Sequence, residues 1–183
     1  ILTPQQVPLR VRLYHQRRAQ GAVQAREGPS AEEERAVGGS SEIGDLLLAL
    51  GVTEIEVGFP AASKTDFDFC RTLVEEELVP EGVTIAVLTQ ARPELIERTF
   101  EAVEGARRAI VHLYNSTSVT QRRVVFRMDR AGIEELAVRG TALCRELAGR
   151  TATPIVFQYS PESFHHTELD YALEVCEAVA AEW

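Results

Sequence analysis

Six residues of this chain combine chemically useful side chains with a shared kind of position: Glu56, Leu88, His112, Tyr114, Ser160 and Glu162. A carboxylate held where water is scarce has its pKa raised, which suits Glu162 to transferring a proton or orienting its donor. A glutamate here has a plain alternative, which is to sit at the start of the helix that follows it. His112 is an imidazole at the end of an apolar run, able to face a pocket or simply to satisfy a neighbouring backbone group. If Glu56 is buried it needs a partner, such as an arginine or a metal-bound water, and so reads as support for a ligand-contacting group. The neighbours His165 and His166 do not read as metal ligands, because adjacent side chains are expected to diverge.

What the six share is the tail of a short apolar run. The runs are Glu54 to Pro60 (EIEVGFP), Thr84 to Gln90 (TIAVLTQ), Ala109 to Thr117 (AIVHLYNST) and Pro154 to Glu162 (PIVFQYSPE). Each is rich in Val and Ile and is followed by a stretch with helical spacing, as when buried parallel strands alternate with covering helices. In folds built from consecutive βα units, chemistry collects at the carboxyl ends of the strands. The spacing between runs is irregular, which predicts barrel-type units rather than a solenoid of fixed period.

The helices can be placed in the same way. Ile43, Leu46, Leu47 and Leu50 open the regular part of the chain, with Gly51 as a C-cap. A second helix is predicted to start near Thr65-Asp66 and to carry Phe69, Leu73 and Val74. Pro93 suits the first turn of a third, whose inner side holds Leu95, Ile96, Phe100 and Val103. Ser118 to Arg150 is long for one helix and reads as two pieces with a break near Arg130 to Gly132. A last helix from about Thr167 to Ala181 shows Leu169, Leu173, Val175, Cys176 and Val179.

Composition narrows the classes. With 183 residues and 45% hydrophobic content the chain can bury a core, but it is shorter than the roughly 250 residues of a closed eight-stranded barrel. It divides into an irregular segment, 1–42, expected to be poorly ordered, and a regular α/β segment, 43–183. The net charge of −9 argues against a nucleic-acid partner, which would need clustered Lys and Arg. No apolar run approaches the roughly 20 residues that span a bilayer, and the start lacks a basic-then-apolar leader, so a cytoplasmic protein with no membrane partner is expected. Cys70, Cys144 and Cys176 are widely spaced and fall in predicted helices, which predicts small buried hydrophobes rather than a disulfide framework.

The blocks IEVGFPAASKTDFDF, VLTQARPELIERTFEA, AIVHLYNSTS with QRRVVFR, and QYSPESFHHTELDYALEVCEAV occur in an order that resembles the 2-isopropylmalate synthase family, over about Leu46 to Val179. The resemblance implies a (β/α)8 barrel, here in part, as about strands two to five with their helices. It also implies condensation of acetyl-CoA with 3-methyl-2-oxobutanoate on a divalent metal, Mg or Zn, at the opening of leucine biosynthesis. Such a reaction removes a weakly acidic methyl proton while a carbonyl is polarised, which calls for a base, a Lewis acid and a shaped pocket. By resemblance Leu88, His112, Tyr114 and Ser160 line the oxo-acid pocket, and Glu162 is the catalytic candidate.

Departures from the family pattern shape the expectations further. The family's Arg-Asp pair on its first strand has no counterpart before residue 43, and its His-x-His metal ligands are not found before Trp183. No metal ligand is therefore assigned, and the isolated chain is expected to be inactive. A non-catalytic, self-associating gene product is the alternative, as is a related homocitrate or citramalate synthase that accepts another oxo acid. Association is expected at open sheet edges, with Ile55, Val57, Ile85, Val87, Ile110, Val111, Ile155 and Val156 taken as incompletely covered inward-facing residues.

Overall fold

The structure, a computed structural model, describes residues 10–12 and 44–183. Helix α1 (44–49) ends at Gly51, whose φ of +77° is the left-handed conformation that lets the Gly51 and Val52 amides bond back to Leu48 and Leu47. Strand β2 (Glu54–Gly58), helix α2 (Lys64–Glu75), β3 (Thr84–Gln90), α3 (Pro93–Val103), β4 (Ala109–Ser116), a π-helix (Gln121–Phe126), α4 (Arg130–Ala148), β5 (Ile155–Glu162) and α5 (Leu169–Glu182) follow. A short strand β1 (Arg10–Arg12) pairs with β2, giving one parallel sheet in the order β1-β2-β3-β4-β5. The sheet thus has five strands where the apolar runs predicted four. The additional strand is only three residues long, too short for hydrophobic alternation to reveal, and it falls in the segment expected to be irregular. The remainder of that segment, with Ile43, lies outside the described residues.

Helix starts follow local hydrogen bonding more closely than apolar spacing. Ser63 caps α2 by accepting from the Asp66 amide at 3.1 Å, two residues before the predicted start. Pro93 opens α3 as expected. The expected break in the long segment falls at Arg127 to Asp129, earlier than predicted. Arg127 takes the left-handed conformation (φ 54°), and Asp129 caps α4 by accepting from the Gly132 amide at 2.9 Å. Gly132 therefore belongs to the first turn of α4 rather than to the break.

The core lies between the sheet and its helices. Ile85, Val87, Ala109, Val111 and Leu113 pack against Cys70 of α2, Ile96, Phe100 and Val103 of α3 and Cys144 of α4. Ile55 packs with Leu47 and Val52, and Phe157 and Tyr159 meet Ile133, Ala137, Tyr171 and Val175. Six of the residues taken as inward-facing, Ile55, Val57, Ile85, Val87, Val111 and Ile155, therefore point at the helices. Only Ile110 and Val156 lie on the other face, because successive side chains alternate and register shares a face among partners. Consecutive parallel strands with helices on one side and a polar-bearing opposite face are the units of a β/α barrel.

Candidate functional site

The inner face of the sheet is built in rows that the register fixes. Glu56 pairs with Ala86, Ala86 with Ile110 and Ile110 with Val156; the next row holds Leu88, His112 and Gln158, and the next Gln90, Tyr114 and Ser160. Ser116 and Glu162 form the last pair. All six sequence-selected residues therefore lie on one face, near the carboxyl ends of four parallel strands. The bulge between Glu56 and Gly58, where Gly58 has φ +136°, ends β2 with a conformation suited to glycine.

Along this face a chain of polar contacts crosses the sheet. Glu56 Oε2 lies 3.5 Å from His112 Nδ1, and His112 Nε2 lies 2.7 Å from Ser160 Oγ. Glu56 and His112 are 8% and 1% exposed, so this is a floor of buried polar groups, and Ser160 is half-buried above it. At the rim, Ser116 Oγ donates to Glu162 Oε2, and the Thr117 amide donates to the Glu162 carbonyl at 3.2 Å. The Tyr114 ring stands edge-on to Phe59 (centroids 6.3 Å apart), and burial first, then the Glu162 charge, push its phenol above the ordinary range. Leu88 is half-buried beside His112 and supplies apolar wall.

Two placements differ from expectation. Glu162 is exposed rather than enclosed, since it ends the edge strand β5. The rings of His165 and His166 do not diverge; their centroids are 4.1 Å apart on an exposed turn. The described residues do not fit a divalent ion, for no three His, Cys, Asp or Glu side chains among them converge.

Sequence reasoning missed the fastening of the rim. Arg122, buried in the π-helix, donates to the Thr117 carbonyl (2.6 Å) and to both carboxylate oxygens of Glu168 (2.9 and 2.7 Å). Arg130 reaches Asp170 at 2.8 Å, and Thr117 and Thr167 share a hydroxyl bond of 2.8 Å. The Arg122 and Thr117 contacts bind the loop after β4 to the loop after β5, and the Arg130–Asp170 pair joins α4 to α5. Ser116 was also missed, although it continues the period of two set by His112 and Tyr114. The arginine signal was present in QRRVVFR, but its partner lies 46 residues away.

A parallel sheet with helices outside and its polar side chains gathered at the strand ends defines part of a β/α-barrel domain. The chain belongs to the HMGL-like family, whose model matches residues 22–182. It is 65% identical over 136 residues to the 2-isopropylmalate synthase of Rhodospirillum rubrum and 61% identical over 141 residues to that of Parafrankia sp.. It is also 61% identical over 137 residues to the 2-isopropylmalate synthase of Pseudarthrobacter chlorophenolicus. These alignments cover 73%, 76% and 74% of this chain but 24%, 25% and 24% of those proteins. The chain thus spans about a quarter of the length of the curated relatives it matches. Among the described residues, no helix is long and apolar enough to cross a membrane.

Proposed function

We propose that this chain carries the oxo-acid-binding half of a 2-isopropylmalate synthase barrel, a cytoplasmic enzyme condensing acetyl-CoA with 3-methyl-2-oxobutanoate. The observation that carries the reading is the inner face itself: Leu88, His112, Tyr114 and Ser160 in adjoining register rows, with Glu162 at the rim. Leu88 receives the branched apolar end of the oxo acid. His112, Tyr114 and Ser160 supply hydrogen bonds for its polar end, the mixture of apolar wall and few placed polar groups that small-molecule sites use. Glu162, fixed by Ser116, takes part in moving or orienting the methyl proton of the acetyl group. The described residues do not assemble a divalent-ion site, and in this reading the isolated chain binds the oxo acid without turning it over.

Titration of the ¹⁵N-labelled chain with 3-methyl-2-oxobutanoate, pyruvate and 2-oxoglutarate tests this. Shifts at Leu88, His112 and Ser160 with preference for the branched acid support the reading. Preference for pyruvate or 2-oxoglutarate would assign a citramalate- or homocitrate-type site, and no binding of any oxo acid would refute it.

A second reading, self-association, is favoured by the outer flank of the sheet. Strand β5 is half-exposed along seven of its eight residues, and Leu169 and Leu173 on α5 are 74% and 60% exposed beside it. An eight-residue open edge flanked by apolar side chains is a template for pairing, and a second copy is the occupant we propose.

A further inference from the structure

Glu56 and His112 meet although their strands are not neighbours. Strand β3 lies between β2 and β4, so the carboxylate must reach across a gap of roughly 9–10 Å, two strand spacings. Its register partner on β3 is Ala86, which carries only a methyl group, while Leu88 stands one row nearer the rim. The opening over Ala86 is the path by which Glu56 Oε2 comes within 3.5 Å of His112 Nδ1. Beyond the ring, Nε2 meets Ser160 Oγ at 2.7 Å. A buried carboxylate, a buried imidazole and a half-buried hydroxyl thus form a line from the floor of the site to its mouth.

The geometry points to Glu56 as a positioning residue for the ligand pocket, acting through the opening over Ala86 to hold the His112 proton on Nδ1 and so turn Nε2 to the Ser160 hydroxyl. An ionised carboxylate only accepts, so the nitrogen facing it must donate. In that tautomer Nε2 accepts from the Ser160 hydroxyl. The other tautomer would present a bare nitrogen to the carboxylate, and a flipped ring would present a carbon to it. Ser160 is thereby held with one hydrogen-bonding direction committed to His112 and the rest turned to the ligand. The same logic orients imidazoles that bind metals, where a carboxylate on the far nitrogen fixes ring and tautomer. The identity of the ligand rests on the oxo-acid reading above; the contact and its tautomer do not.

Long-range ¹H–¹⁵N correlation on the chain labelled at histidine reports which ring nitrogen carries the proton, with His112 assigned by its loss in His112→Gln. In the native chain Nδ1 of His112 carries the proton. Glu56→Gln, whose amide can donate as well as accept, gives a mixture of tautomers. Ala86→Val does the same while leaving the carboxylate in place, a result that a merely structural role for Glu56 would not produce. Both substitutions weaken 3-methyl-2-oxobutanoate binding about tenfold, the size of effect seen when the partner orienting a ligand imidazole is lost. A bare Nδ1 in the native chain overturns the proposal, as does an unchanged tautomer in folded Ala86→Val. A protonated Nδ1 in a native chain that binds no oxo acid upholds the positioning contact and refutes the ligand reading instead.

Discussion

Replacing Arg122 by methionine removes the guanidinium that joins the two rim loops while keeping an apolar stem in place. Arg122 makes two charge-assisted bonds to Glu168 and one to the Thr117 carbonyl, and its guanidinium carbon lies 4.7 Å from the Tyr171 ring centroid. Glu168 retains Arg130 at 3.3 Å and is partly open to water, so its share of the loss is compensated only in part. The Thr117 side is not compensated. That residue is 0% exposed, and a buried carbonyl stripped of its donor costs about 1–3 kcal/mol. With roughly another 1 kcal/mol for the weakened carboxylate bonds, the substitution should destabilise the chain by about 3 kcal/mol at pH 7. At about 2–4 °C per kcal/mol for a domain of this size, Tm falls by roughly 6–12 °C. The pH dependence supplies an independent check. The hydrogen bonds from Arg122 hold the Glu168 carboxyl down from 4.5 to about 2, so its stabilising share is fully present above pH 4.5 and is lost as pH falls through about 2. Arg122→Met should flatten that acid limb. Urea unfolding followed by circular dichroism at pH 7 and at several acid pH values measures both effects. A loss below about 1 kcal/mol at neutral pH with an unaltered acid limb would show that the rim does not depend on this clamp.

Other outcomes test other parts of the structure. Burial pushes the Cys70 and Cys144 thiols up to about 12, so neither should react with a disulfide reagent at pH 8 in the folded chain, and both should react in denaturant. Gly140→Val should cost about 1–3 kcal/mol in urea unfolding, because a Cβ at Gly140 would already lie 3.1 Å from the Ala91 Cβ and 3.3 Å from Leu113 Cδ2. Sedimentation across a range of concentrations should show the native chain associating and Leu169→Lys/Leu173→Lys shifting it toward monomer; a native chain that remains monomeric throughout would refute the β5-flank interface.

What the sequence shows clearly here is where the four longer strands are, and what it hides is the three-residue β1 and which way the side chains point. β3 runs from Thr84 to Gln90 as the apolar run does, because a strand covered on both sides needs a continuous apolar stretch bounded by breakers. That same continuity erases the alternation that would reveal facing. In β4 both Ile110 and Val111 are buried, and only the register shows that Val111 joins the helix-packed core while Ile110 shares its face with Glu56, Ala86 and Val156. The polar exceptions were the better guide: His112 and Tyr114, two apart, mark the inner face because a parallel strand otherwise has little use for them. Helix α5 presented the converse ambiguity. It carries two apolar stripes at helical spacing, and the one anchored by the Tyr171 hydroxyl on the Arg130 carbonyl, with Val175 and Val179, is buried, while Leu169 and Leu173 are not. Nothing local distinguishes the stripes, since the choice is made by α4 across the helix interface. The clamp of Arg122 on Glu168 and the reach of Glu56 over Ala86 share that property. Each is written in residues far apart in the chain, and each becomes visible only when the register of the sheet sets them side by side.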